Sequence, residues 1–144
     1  MNKQPSWEKF ERESAQLLGG SMVKGSGRFW GAKGDCTAKD LLVECKFTEK
    51  PKFYVTKKLV DKISSEARAR SRIWMFCVRT SGGDYSIVPI YRASDYGLDI
   101  DEFIEKKNSI PVYGGMKLGG YIIDGRKVYV DTAERMAEYE HQVR

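Results

Sequence analysis

Residues 41–47 read LLVECKF and set a carboxylate and an ammonium two positions apart, Glu44 and Lys46. Side chains alternate in an extended strand, so Leu41, Val43, Cys45 and Phe47 point one way and Leu42, Glu44 and Lys46 the other. The first set is wholly apolar and belongs against a core, which brings Glu44 and Lys46 out side by side on the opposite face. Taken alone, such a pair equally describes an ion pair on a solvated strand. Asp35 changes its meaning. It follows Gly34 and opens a strand that a turn at Lys39-Asp40 folds back onto 41–47, so it approaches the Glu44 end of the hairpin. Two carboxylates that close repel unless a divalent cation sits between them. Oxygen-only ligation suits Mg2+, with Mn2+ as a substitute. A metal there polarises a phosphate oxygen and acidifies a bound water, while Lys46 orients that water or stabilises the developing charge. Phosphodiester hydrolysis needs no more than this.

Composition removes the competing chemistries. His141 is the single histidine, so a histidine base or histidine-rich metal site has almost nothing to work with. Cys36, Cys45 and Cys77 form no CxxC pair, which argues against a disulfide framework or structural zinc and for a reducing, cytoplasmic setting. There is no GxxxxGK[ST] phosphate loop and no GxSxG elbow. No apolar run approaches the roughly 18 to 20 residues of a membrane span, and the polar start MNKQPSWEKFERES is expected to be neither signal nor transit peptide. The charge is uneven: residues 1–80 carry 17 Lys and Arg against 9 Asp and Glu, and residues 81–144 carry 8 against 11. A basic first half points to a polyanion such as nucleic acid, although surplus charge also simply solubilises.

The elements that must position these groups follow from periodicity. A helix is predicted over 5–18, with Pro5 in its first turn and Trp7, Phe10, Leu17 and Leu18 on one face; Gly19-Gly20 ends it. A short strand over 21–24 leads into a glycine-rich basic loop, 25–34. Strands 35–38 and 41–47 precede a helix over 56–70 that faces Leu59, Val60, Ile63 and Ala67 inward. The run IWMFCVR at 73–79 reads as a central strand buried on both faces. Further predictions are a strand over 85–90, a helix over 99–107 capped by Asp99, a hairpin of 121–124 and 127–130 across Gly125-Arg126, and a polar helix over 132–143. Gly114-Gly115 and Gly119-Gly120 read as a flexible surface loop. This order gives a single α/β domain over 1–144, a mixed sheet flanked by helices. Within the first helix, Glu11 falls about 60° from the apolar centre, nearer the core than Glu8 or Glu13. A glutamate there either snorkels to solvent or has a partner, and a metal would be one.

The ordered run FERESAQLL, GSG, GD, LLVECKFTEK and FYVTKK resembles the archaeal-type Holliday junction resolvases, a branch of the PD-(D/E)xK nuclease superfamily also found in viruses. The match spans roughly residues 6–79. It implies a restriction-endonuclease-like fold with its catalytic core over about 5–90 and a divergent region over 91–144. By position it assigns catalysis to Glu11, Asp35, Glu44 and Lys46, and metal ligation to Glu11, Asp35, Glu44 and the backbone carbonyl of Cys45. It implies a homodimer that cuts branched double-stranded DNA for recombination and repair, with Mg2+ and no small-molecule cofactor. The chain has GD where many members have PD.

Lys24, Ser26, Arg28, Trp30 and Lys33 around the glycine-rich loop are expected at the DNA, as are Lys50, Lys52, Tyr54, Lys57 and Lys58 after the catalytic strand. Phe29 and Trp30 would stack on bases, wedge at a branch, or seal the core. Neutralising six to ten phosphates would weaken binding by about 10³- to 10⁵-fold between roughly 50 and 200 mM salt. Two other readings stay open: a nuclease of restriction or repair type acting on other DNA, and a non-catalytic nucleic-acid-binding module.

Overall fold

The computed structural model describes residues 6–22 and 36–143. Helix α1 spans Ser6–Leu18, then β1 Ser21–Met22, β2 Cys36–Ala38, β3 Leu41–Phe47, β4 Lys52–Thr56, α2 Lys57–Ala69, β5 Ile73–Thr80 and β6 Gly83–Pro89. Helix α3, Ile90–Asp95, leads to β7 Phe103–Lys106, β8 Ser109–Tyr113, β9 Gly119–Ile123, β10 Arg126–Thr132 and α4 Ala133–Gln142. Eight strands form one mixed sheet in the order β1-β2-β3-β5-β6-β10-β9-β7, and β4 pairs with β8 in a separate two-stranded sheet. The predicted mixed α/β sheet flanked by helices is therefore observed.

The alternation expected of β3 is what builds the two layers. Leu41 and Val43 join Phe10, Leu18, Met75, Val88 and Met136 in a core beneath α1, α3 and α4. Leu42 joins Val60, Ile63, Ala67, Trp74, Phe76 and Ile110 in a second core beneath α2 and the small sheet. Strand β5 feeds both, and Trp74 through Val78 are all buried, as an almost continuous apolar run requires. Thr56 caps α2, its Oγ1 accepting from the Leu59 amide at 3.2 Å.

Several predicted elements are corrected. The stretch 99–107 holds no helix: α3 comes earlier, and Phe103–Lys106 is a strand running parallel to β9. Asp99 thus opens a connection rather than capping a helix. Strands β4 and β8 went unpredicted, because KFYVT and SIPVY are half-exposed and gain their order from pairing with each other. Gly119-Gly120 belongs to β9, not to a loop, and a Cβ on Gly120 would lie 2.6 Å from the Glu102 carbonyl oxygen. The β9–β10 turn falls at Asp124-Gly125, both at positive φ, one residue earlier than expected. On α1 the buried stripe is Phe10, Glu11, Ser14, Ala15 and Leu18, while Trp7 and Leu17 are exposed. Helix α4 is not polar throughout, since Met136, Ala137 and Glu140 are buried.

Candidate active site

Strand β3 carries the candidate chemistry, and its neighbours dictate how much of it faces water. On one side β3 runs parallel to β5, with Glu44 opposite Phe76 and Lys46 opposite Val78. On the other side β2 pairs only with Leu41–Val43, Cys36 lying opposite Val43. Among the described residues no strand covers 44–47 on that side. Glu44 is 7% exposed, and its Oε2 lies 3.2 Å from Lys46 Nζ. The lysine side chain is a third exposed. A carboxylate so far from water is costly unless a cation offsets it, and here the ammonium two residues along the same face does so in part. Both groups stand at the C-terminal end of β3, on the α2 side of the sheet.

Glu11 is 5% exposed on the inner stripe of α1. That helix lies over β1, β2 and β3 in the layer of Val43, not that of Leu42 and Glu44. Glu11 and Glu44 therefore lie in different layers, one on the α1 side of the sheet and one on the α2 side. Asp35 lies outside the described residues, and its chain neighbour Cys36 pairs with the residue preceding Glu44. Among the described residues no three histidine, cysteine, aspartate or glutamate side chains gather into a metal cluster. On the Glu44 face the described groups beside β3 are this carboxylate and the Lys46 ammonium. His141 is committed elsewhere, its Nε2 2.9 Å from the Leu17 carbonyl oxygen, and the thiols of Cys45 and Cys77 belong to the opposite face. The Cys77 thiol is pushed well up, by its contact with Cys45 and then by burial, so it is no ready thiolate.

The expected DNA contacts divide. Lys24, Ser26, Arg28, Phe29, Trp30 and Lys33 lie outside the described residues. Lys50 and Lys58 are exposed near β3 and at the start of α2. Lys52 and Tyr54 share the outer face of the small sheet, where Lys52 Nζ sits 5.8 Å from the Tyr54 ring centre and 5.4 Å from that of Tyr113. Lys57 is paired with Asp124 at 2.9 Å, and the bond to that carboxylate raises its pKa; it is a clamp on the β9–β10 turn before it is a phosphate contact.

Two polar centres escaped the sequence reading. Arg79, at the end of β5, is held by Asp84 at 2.8 Å and Glu13 at 3.1 Å and stacks on Phe10. It lines a cleft of about 580 Å³ between α1, β6 and α4. The bond to Asp84, against burial and with help from Glu13, holds its pKa above the ordinary range. That cleft lies in the α1 layer, and its one guanidinium is already neutralised by two carboxylates. The second is a basic groove beside α2, for which the run ARARSR at 67–72 was the available signal.

No protein-family model matches this chain, and no curated protein matches it. Among solved structures it is similar to that of Archaeoglobus fulgidus Hjc, a Holliday junction resolvase from an archaeal hyperthermophile, at 18% identity and a TM-score of 0.44, over 58% of this chain and 75% of that one.

Proposed function

We propose that this chain is a metal-dependent endonuclease that cleaves four-way DNA junctions by phosphodiester hydrolysis, acting as a homodimer. The observation that carries the reading is Glu44, a 7%-exposed carboxylate held 3.2 Å from Lys46 on one face of β3. In this reading Glu44, Asp35 and the Cys45 carbonyl would hold Mg2+, with Glu11 reaching it from the α1 layer, and the metal would supply Lewis-acid stabilisation of the phosphate and a more acidic water. Lys46 has two tasks. It offsets the Glu44 charge in the resting protein, and it donates to the attacking water or to the non-bridging oxygen where negative charge grows. The resemblance of FERESAQLL, GD and LLVECKF to the junction resolvases supports the choice of substrate.

The test compares magnesium-dependent cleavage of a labelled four-way junction, a linear duplex and a single strand, alongside Asp35→Asn, Glu44→Gln and Lys46→Ala. The expected result is preferential junction cleavage, with each variant binding the junction but cutting it roughly 10²- to 10³-fold more slowly, the cost typical of losing one transition-state contact. Equal rates on all three DNAs would move the chain to the general nucleases. Full activity in Glu44→Gln and Lys46→Ala would remove the site altogether. The solution mass of the free protein checks the dimer.

A further inference from the structure

The groove of about 450 Å³ beside α2 is lined by Arg68, Arg72, Arg126 and Lys127, with the Ser64 and Ser71 hydroxyls and the Tyr91 ring. Among the described residues lining it there is no carboxylate. How it forms is legible locally. Helix α2 ends at Ala69, Ser71 takes a left-handed conformation (φ 54°), and its amide bonds back to the Arg68 carbonyl at 3.1 Å. That reversal sets Arg68, on the last helical turn, and Arg72, just before β5, along one groove. The start of β10 supplies Arg126 and Lys127 from the other wall.

Little offsets this charge. Asp61 pairs with Arg126 at 2.9 Å from the rim, and Arg126 also reaches Ser64 at 3.1 Å. Arg72 gives its Nη1 to the carbonyls of Lys39 and Leu41, at 3.0 and 3.2 Å, which holds it in place without cancelling its charge. Arg68 and Lys127 have no carboxylate partner among the described residues, and Lys127 Nζ rests 5.0 Å from the Phe103 ring centre. Four cations around one groove repel one another, so the arrangement is completed by an anion that brings several oxygens. Tyr91 stands at the mouth, more than half exposed. A planar ring beside guanidinium groups and hydroxyl donors suits a sugar-phosphate chain better than a lone phosphate.

We infer that this groove is a second nucleic-acid contact, gripping the phosphodiester backbone of a DNA arm away from the scissile bond. The inference extends the proposed function and rests on its DNA substrate. The groove opens at Trp74, four residues along β5 from the position beside Lys46, so it stands at least ~13 Å from the candidate active site at about 3.3 Å per residue. Both lie on the α2 side of the sheet, one at each end of β5. A duplex arm is long enough to engage both; a cut strand end is not.

The experiment measures binding, not cleavage. Labelled four-way junction and labelled duplex are titrated in EDTA over a series of salt concentrations with the full chain, with R68E/K127E, and with K107E/K117E, a control that changes net charge equally at exposed lysines elsewhere. The expected result is a loss of more than about tenfold for the groove variant, with the salt slope falling by about 2, near 0.9 per phosphate contact removed. The control should stay near the parent. R68A/K127A should show a smaller loss of the same kind, and melting curves verify that all variants are folded. Equal loss in the control, or an unchanged salt slope in the groove variant, overturns the inference and leaves the groove to an acidic protein segment. The two proposals fail separately. A chain that cuts no junction but shows this loss keeps the groove, and one that cuts junctions with no change in the groove variant keeps only the nuclease.

Discussion

Replacing Arg92 with methionine should destabilise the protein more than any substitution at its exposed ion pairs. Arg92 is 1% exposed, and its fork meets Glu140 twice at 2.7 Å; Glu140 is itself 1% exposed. Burial alone would lower the arginine pKa, but the bonds to Glu140 and Asp40 outweigh that and raise it above the ordinary range. Two further carboxylates reach the same guanidinium, Asp40 at 2.8 Å and Asp95 at 3.2 Å, but both are about half exposed and screened by water. Almost the whole cost therefore falls on the Arg92–Glu140 arm. Removing one partner of a buried pair leaves the other charge uncompensated, which costs about 3–5 kcal/mol. At about 2–4 °C per kcal/mol for a chain of this size, the melting point should drop by roughly 6–20 °C. Glu140→Gln keeps Arg92 paired with Asp40 and Asp95 and should cost less, about 1–3 kcal/mol. The double variant R92M/E140M buries no charge at that arm and should recover much of the loss. Urea titrations followed by fluorescence of the buried Trp74 and by circular dichroism supply the three free energies. A cost below about 1 kcal/mol for Arg92→Met, or no recovery in the double variant, would refute the claim that this pair fastens α3 and α4 to the Asp40 turn that leads into β3.

Two further outcomes test other parts of the structure. Gly120→Ala places a Cβ 2.6 Å from the Glu102 carbonyl oxygen and 2.7 Å from the Phe103 ring, so it should cost about 1–3 kcal/mol in a thermal melt; parent-like stability would dislodge β7 from its place beside β9. Glu13→Gln should cost at most about 1 kcal/mol at neutral pH, because the Glu13 side chain is 42% exposed and water screens its pair with Arg79. The bond to Arg79 lowers the Glu13 pKa below 4.5, so its contribution is complete above that value and disappears as pH falls through the lower, folded-state pKa. Parent and variant melting curves should therefore converge in acid, and a gap that widens there would contradict the assignment.

Local pattern revealed the parts of this fold that local physics decides. Alternation in LLVECKF fixed which residues of β3 face which layer, and the unbroken apolar run of β5 required burial on both sides. Helix α2 announced itself through inward residues at helical spacing, and the structure adds Thr56 as its cap. The errors share another cause. Phe103–Lys106 becomes a strand only because β9 lies beside it, and Gly120 is a glycine because the Glu102 backbone passes close by. Trp7 and Leu17 pulled the apparent face of α1 away from its buried stripe, since side-chain size says nothing about what the helix rests on.

The same division runs through the candidate site. Glu44 and Lys46 were legible because one strand carries both, and a period of two residues places them without knowledge of any other element. Glu11 was legible only as a glutamate set toward a core; that this core lies on the opposite side of the sheet from Glu44 is a matter of how the layers stack. Arg92 and Glu140 lie 48 positions apart, and the basic groove joins Arg68 to Tyr91 and Lys127, 23 and 59 positions further on. ARARSR by itself gives no sign of a groove, because a lone basic run cannot say whether another wall of cations will face it. What separates a solvated charge from a binding group is the company tertiary structure gives it, and here Arg126 and Lys127 supply that company to Arg68 and Arg72.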